Sequence, residues 1–239
     1  MAKDLEGVNV HTMKPVHRRG PVLYASLPCE PRDSESRRLL VSSLLNHLAE
    51  IGSPLWSRCQ ASNRAASPIQ MVRDLLGRPH LMLGESRGPA ISFSEGGGKV
   101  WAALSGDESD IGIDVAGTDE FQRGYPFHRV FHPQELRHAL MLASGDLEKA
   151  SAMLWSIKEA VVKALGCAFH LVAPRQIMVY PSAEGLVGGN SGYTFPVGLS
   201  DKALMRFPIA AGRSLWVHSL PQRKMWLSVA LLNRETDRP

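Results

Sequence analysis

Cysteine is scarce in this chain of 239 residues: Cys29, Cys59 and Cys167 are the only three. An odd, widely spaced set argues against a disulfide framework, and the lack of any CxxC pair argues against a thiolate zinc site. Three reduced thiols in a cytoplasmic protein is the expectation. Long apolar runs are missing too. No stretch approaches the ~18 apolar residues of a membrane helix, and Met1–Gly7 lacks the apolar core of a signal peptide. Heavy charge of one sign is also absent. A net charge of +4 is mildly basic, without the clustering of a dedicated nucleic-acid binder. It suits an acidic partner or a phosphorylated ligand, and neither a nucleic-acid nor a membrane partner is expected.

What is present is an ordinary globular composition, 44% apolar and 21% charged, on a length that supports one large or two small cored units. Residues 1–22, with Pro15, Gly20, Pro21 and a His-Arg-Arg cluster at 17–19, read as a flexible leader. From Ser34 to Ile51 the stripe Leu40, Leu44, Leu48, widened by Leu39, Val41 and Leu45, predicts an amphipathic helix ended by Gly52. The stretch 53–68 reads as loop, and Ile69 to Leu76 as one or two helical turns. Ala90–Ser94, Lys99–Leu104 and Ile111–Val115 read as short strands joined by tight turns, a three-stranded antiparallel meander with Gly96-Gly97-Gly98 at its first turn. Pro133 opens a helix closed by Gly145. Asp146 caps a longer one, from Leu147 to about Leu165, closed by Gly166. Strands follow at Gln176–Tyr180, Tyr193–Phe195, Leu215–Leu220 and Met225–Leu232. The class is α+β.

Two segments carry chemistry. In Ile111-Gly112-Ile113-Asp114 an acid closes a short apolar strand, and the glycine permits close approach of another backbone. In Trp155-Ser-Ile-Lys158-Glu159-Ala-Val-Val-Lys163, Glu159 and Lys163 lie at i and i+4 on one helix face, with Lys158 about 100° around the helix. Taken singly, the first reads as a turn-capping aspartate and the second as a surface ion pair. Together, a strand-end acid and a helix bearing an acid and two lysines can form one site. Two carboxylates suit Mg²⁺, which takes hard oxygen ligands and keeps several waters, and the lysines suit the phosphates such a metal bridges.

These two motifs, in this order and at this spacing, resemble the paired signature of the phosphopantetheinyl transferases, roughly G-[IV]-D followed by [FW]-[SCT]-x-K-E-[AS]-x-x-K. The spacing is similar to that of the larger, Sfp-type branch, and the resemblance runs from about Arg78 to Lys163. It implies two similar α+β subdomains, 23–112 and 113–239, each a small antiparallel sheet packed with helices, with coenzyme A in the cleft between them. It implies Mg²⁺-dependent transfer of the phosphopantetheine arm of coenzyme A to a serine of an acidic acyl or peptidyl carrier protein, with 3′,5′-ADP released by a monomeric enzyme. Asp114 and Glu159 would hold the metal. Lys158 and Lys163 would contact phosphate oxygens, and Glu159, or a water on the metal, would take the serine proton. Arg78, with Arg37 or Arg38, would meet the 3′-phosphate.

The chain departs from that pattern twice. Where the family has Ser-His-Ser against the nucleotide phosphate, this chain has Ser94-Glu95-Gly96. An ionised carboxylate only accepts hydrogen bonds, and two like charges ~4 Å apart cost on the order of 4 kcal/mol at an effective dielectric of 20. Glu95 must therefore turn away, be protonated, or face a ligand lacking that phosphate; His80 is a candidate substitute. Two residues after Asp114, where many members carry a further acid, stands Ala116, with Asp119 and Glu120 nearby. These departures leave open a non-catalytic homologue that binds carrier proteins or nucleotides. His128, His132 and His138 flank Pro133, which interrupts any helix carrying a His-x-x-x-His zinc pair. The tryptophans read as core residues.

Overall fold

Strand alternation sets the layering. The computed structural model describes residues 8–13, 20–28, 34–62, 68–122, 125–182 and 192–233. In them, a six-stranded antiparallel sheet comprises β1 (Val10–Met13), β2 (Val22–Pro28), β3 (Ile69–Arg73), β4 (Pro79–Leu83), β5 (Ser86–Gly96) and β6 (Lys99–Ser105), in the order β1-β2-β6-β5-β4-β3. A five-stranded antiparallel sheet comprises β7 (Asp110–Gly117), β8 (Ile177–Val179), β9 (Tyr193–Leu199), β10 (Leu215–Gln222) and β11 (Met225–Leu232), in the order β7-β11-β10-β9-β8. The helices are α1 (Ser34–Glu50), α2 (Pro54–Ser62), α3 (Phe127–Val130), α4 (Pro133–Leu142), α5 (Leu147–Ala164) and α6 (Asp201–Arg206).

Successive strand residues face opposite ways, and the core accordingly falls into three apolar layers. Leu23, Ala25, Ile91, Val100, Ala102 and Leu104 meet α1 and α2. The opposite face of that sheet, through Val22, Tyr24, Trp101 and Ala103, packs on Ile111, Ile113, Val115, Leu227, Val229 and Leu231 of the second sheet. The far face of the second sheet, with Ala116, Trp226, Ala230 and Leu232, packs on α5. The class is α+β, two antiparallel sheets with helices on their outer faces.

Several expectations change. Ile69–Arg73 is an edge strand, paired with β4, and not helical turns. Its apolar residues suit either period, and pairing decided between them. Pro54–Ser62 is helical where a loop was expected; Pro54 sits in the first turn, where its missing N–H costs nothing. The third strand of the expected meander leaves it: β7 pairs with β11 along its whole length and so begins the second sheet. Part of the expected leader is ordered, because β1 pairs with β2 through Met13↔Val22; residues 1–7 and the cluster at 17–19 lie outside the described residues. Cys59 and Cys167 are buried free thiols. Among the described residues no helix is long and apolar enough to cross a membrane.

Candidate active site

The site forms where β7 lies directly under α5. Gly112 makes that contact possible. A Cβ there would collide with the Ala160 carbonyl oxygen and stand 2.5 Å from the Ala164 amide nitrogen, so only hydrogen lets helix and strand backbones approach this closely. On the same face of β7, two residues on, Asp114 is carried beneath the last turns of α5. Asp146 caps the start of α5 by accepting the Lys149 N–H at 3.0 Å, and Gly166, at φ +77°, terminates it.

Asp114, Glu159 and Lys163 converge there. Lys163 Nζ donates to Asp114 Oδ1 at 2.8 Å, to the Ile113 carbonyl at 3.1 Å and to Ser94 Oγ at 3.2 Å. Ser94 Oγ in turn donates to Asp114 Oδ1 at 2.9 Å and accepts the Val115 N–H at 3.3 Å. Ser92 accepts the Ile113 N–H at 3.1 Å, so two β5 hydroxyls stitch the first sheet to β7. Burial pushes the Glu159 carboxyl up from 4.5 to about 7; the Asp114 and Glu120 charges add to the rise and Lys163 opposes it. Two carboxylates near enough to feel each other's charge, each a hard oxygen donor, suit a small divalent cation that keeps most of its waters. Among the described residues no cluster of three or more acidic, histidine or cysteine ligands exists, so protein donors would supply only part of such a shell.

Lys158 is not part of this group, which corrects the expectation that it contacts phosphate. Its side chain is 0% exposed and points to the opposite side of α5. There Nζ donates to the Glu135 carboxylate and to the carbonyls of Val130 (3.1 Å), Pro174 (2.9 Å) and Ile177 (3.0 Å). Burial draws this ammonium below the usual lysine range while Glu135 opposes the fall. The turn of roughly 100° between consecutive helix residues is the physical reason: with Glu159 at the cleft, Lys158 must face the core. It staples α5 to α4, to the segment before α4 and to β8.

Beyond Lys163 lies a cavity of about 200 Å³, walled by Arg37, Arg73, Arg78, Phe93, Gly166 and Cys167 among others. Strands β3 to β5, at one edge of the first sheet, meet α1 and the C-terminal end of α5 at it. Arg78 enters across the face of Gly166, where a Cβ would stand 3.1 Å from its Cδ, and pairs with Asp110 at 2.7 Å. Of Arg37 and Arg38, Arg37 faces this cavity and Arg38 faces a separate groove against β3. Glu95 has turned to α1, where Arg37 Nη2 donates to it at 2.7 Å. Alternation along β5 requires this: Ser92 and Ser94 face β7, so Phe93 and Glu95 face α1. His80 is engaged elsewhere, with Asp74 at 3.0 Å and with Arg87, and does not reach the cavity. His132 meets the Arg175 carbonyl at 2.7 Å and His138 accepts the Ser182 N–H at 3.1 Å, so the three histidines form no metal cluster.

Arg73 and Asp110 were not anticipated from the sequence, whereas Glu120, Ala116 and Trp155 were. Glu120 closes a 3-10 turn by accepting the Gly117 N–H at 2.8 Å, and its charge reaches Glu159 and Tyr125. Ala116, at the position of the expected further acid, is buried against α5. Arg73 and Asp110 carried no sequence signal, since their place depends on a hairpin and on a sheet exchange. Trp155, one turn before Glu159, packs on Phe169 with ring centroids 4.8 Å apart.

The segment 110–187, which holds β7, α5 and β8, matches the model of the 4′-phosphopantetheinyl transferase superfamily. No curated protein matches the chain. Among solved structures, the ACPS–CoA complex of Chronobacterium ammoniagenes is similar at 22% identity and a TM-score of 0.42, over 53% of this chain and 98% of its own. The apo-ACPS structure from the same source is similar at 24% identity and a TM-score of 0.41, over 52% of this chain and 95% of its own.

Proposed function

We propose that this protein is a phosphopantetheinyl transferase of the larger, Sfp-type branch. It moves the phosphopantetheine arm of a coenzyme A-type donor onto a serine of an acidic acyl or peptidyl carrier protein. One observation carries the reading: Asp114, Glu159 and Lys163 converge beside a cavity lined with arginines, inside the segment 110–187 that matches the superfamily model.

The chemistry needs little from the protein beyond positioning, charge neutralisation and a base. Lys163 and Arg78 line the same cavity, so Lys163 would meet the phosphates beside Asp114 and Arg78 the nucleotide. The serine oxygen attacks the phosphorus bearing the pantetheine arm, and the bond from that phosphorus to the bridging oxygen breaks. The nucleotide leaves with the electron pair, as 3′,5′-ADP when coenzyme A is the donor. Glu159, whose carboxyl is raised to about 7, is suited to take the serine proton near neutral pH. A Mg²⁺ held by Asp114 and Glu159 would supply further neutralisation of the pyrophosphate. Ser94 fixes the orientation of Asp114 and Lys163 and makes no wall of the cavity.

The test is incubation with coenzyme A, Mg²⁺ and a panel of apo carrier proteins, followed by mass spectrometry of the carriers. The arm on a serine is the expected result, lost in Glu159→Gln. Folded protein that modifies none of the carriers would sink the transfer reading; nucleotide binding retained without turnover would instead mark a binding module.

A further inference from the structure

We propose that Arg213 is a positioning residue for the cavity: it takes up the charge of Asp110, the carboxylate it shares with Arg78, and so leaves the charge of Arg78 available to an anionic ligand. This rests on the transfer reading above and names a residue that governs affinity for the phosphorylated donor.

Strand register brings the three side chains together. Leu232 of β11 pairs with Asp110 on one side and with Leu215 on the other. Asp110 opens β7, and Arg213 lies two residues before β10 begins, so both stand at the same end of β11. The backbone of Arg213 is tied there by its N–H, which donates to the Ala210 carbonyl at 3.2 Å. Arg78 arrives from the first sheet, just before β4, with its backbone N–H on Asp74 Oδ1 at 2.9 Å. Arg78 Nη2 donates to Asp110 Oδ1 at 2.7 Å, and Arg213 Nη1 faces Asp110 Oδ2 at 3.6 Å. The side chains of Arg78, Asp110 and Arg213 are 14%, 17% and 18% exposed, so water and salt screen them less than an open surface pair.

Charge counting gives the consequence. Arg78 and Asp110 alone cancel, and an incoming anion would meet a carboxylate bonded to the cation it needs. With Arg213 the trio carries one net positive charge, and each carboxylate oxygen has its own guanidinium. At 3.6 Å Arg213 makes an ionic contact and not a hydrogen bond. Its Nη1 is buried without a hydrogen-bond partner, so it has an N–H to spare beside Oδ2. An anion that draws on Arg78 therefore leaves Asp110 with a second cation, and the cost of stranding a part-buried carboxylate is avoided. Arg78 is the member that reaches the cavity: it forms part of the wall and crosses the face of Gly166, whereas Arg213 is not among the residues of the wall. A staple between the two sheets needs only Arg78 and Asp110. What Arg213 adds is charge.

Calorimetry on the full chain with Mg²⁺ and adenosine 3′,5′-bisphosphate tests this role without requiring turnover, and steady-state kinetics with coenzyme A and an apo carrier run beside it. Arg213→Met is expected to weaken bisphosphate binding at least fivefold and to raise KM for coenzyme A by a similar factor, with kcat moved less than twofold. Arg213→Gln, polar but uncharged, is expected to do the same and serves where Arg213→Met does not fold. Arg213→Lys, which keeps the charge, is expected to stay within twofold of the native chain. In the Asp110→Asn background, where no carboxylate charge needs taking up, Arg213→Met is expected to change binding less than twofold. A merely structural Arg213 would lower the fraction of binding-competent chain without moving Kd. Undiminished affinity in the folded uncharged variants, no rescue by lysine, a full effect in the Asp110→Asn background, or a native chain that does not bind the bisphosphate overturns the proposal. Weakened binding with lysine rescue, but no transfer to any carrier, would remove the transfer reading and leave the role of Arg213 standing; transfer by the native chain with unaltered KM in Arg213→Met would do the reverse.

Discussion

Replacing Glu159 by glutamine should stabilise the metal-free fold above neutral pH and leave it little changed in acid. The native carboxyl holds its proton up to about 7, whereas in the unfolded chain it ionises near 4.5. Between those values the folded state binds more protons, so stability contributed by the neutral form is complete below 4.5 and is lost as pH rises through 7. That interval corresponds to roughly 3 kcal/mol at most. Glu159 is only half-buried, and solvent in the cleft together with Lys163 screens part of the charge, so we expect about 1–2 kcal/mol. Glutamine keeps the shape and drops the charge. In EDTA at pH 8, urea unfolding of Glu159→Gln should therefore give a stability about 1–2 kcal/mol above that of the native chain, with a Tm some 2–6 °C higher. At pH 5 the two should agree within about 0.5 kcal/mol. Adding Mg²⁺ at pH 8 should raise the native midpoint more than that of the variant, since only a ligand favouring the folded state stabilises it. A variant no more stable at pH 8 than at pH 5, relative to the native chain, would refute the argument that Glu159 is forced to carry an unfavourable charge beside Asp114.

Gly112→Ala should destabilise the protein by about 2 kcal/mol or more, because the new methyl meets the α5 backbone and not a flexible side chain; urea midpoints measure it. Lys158→Met should cost about 3–5 kcal/mol by stranding the Glu135 carboxylate in the core, and the double variant with Glu135→Leu should recover much of that loss, a coupling read by a double-mutant cycle. Retained transfer in a refolded double variant would agree with a structural role for Lys158, whereas loss of transfer with restored stability would return it to the chemistry. Lys163→Met should weaken nucleotide binding at least tenfold in calorimetry, since Lys163 both pairs with Asp114 and lines the cavity proposed to take the phosphates.

How much was legible in the sequence follows from the range of each signal. α1, α4 and α5 with their caps, the glycine turn between β5 and β6, and the strands of the second half are local: periodicity, capping and turn chemistry act within a few residues. That Asp114 would meet Glu159 and Lys163 was expected only from the motif resemblance, while the i, i+4 spacing already put the last two on one face. The sequence could not tell a strand from a helix at Ile69–Arg73, where a short apolar run fits both periods until β4 supplies hydrogen bonds. Nor could it assign β7 to the second sheet, since that depends on β11, more than a hundred residues away. Only packing decided which lysine serves the cleft: α5 is covered on nearly all sides, so a rotation of one residue separates a lysine caged by carbonyls from one resting on Asp114. The partner of Glu95 is likewise a tertiary outcome, since alternation sends it toward α1 but only the docking of α1 on β5 puts Arg37 there to receive it.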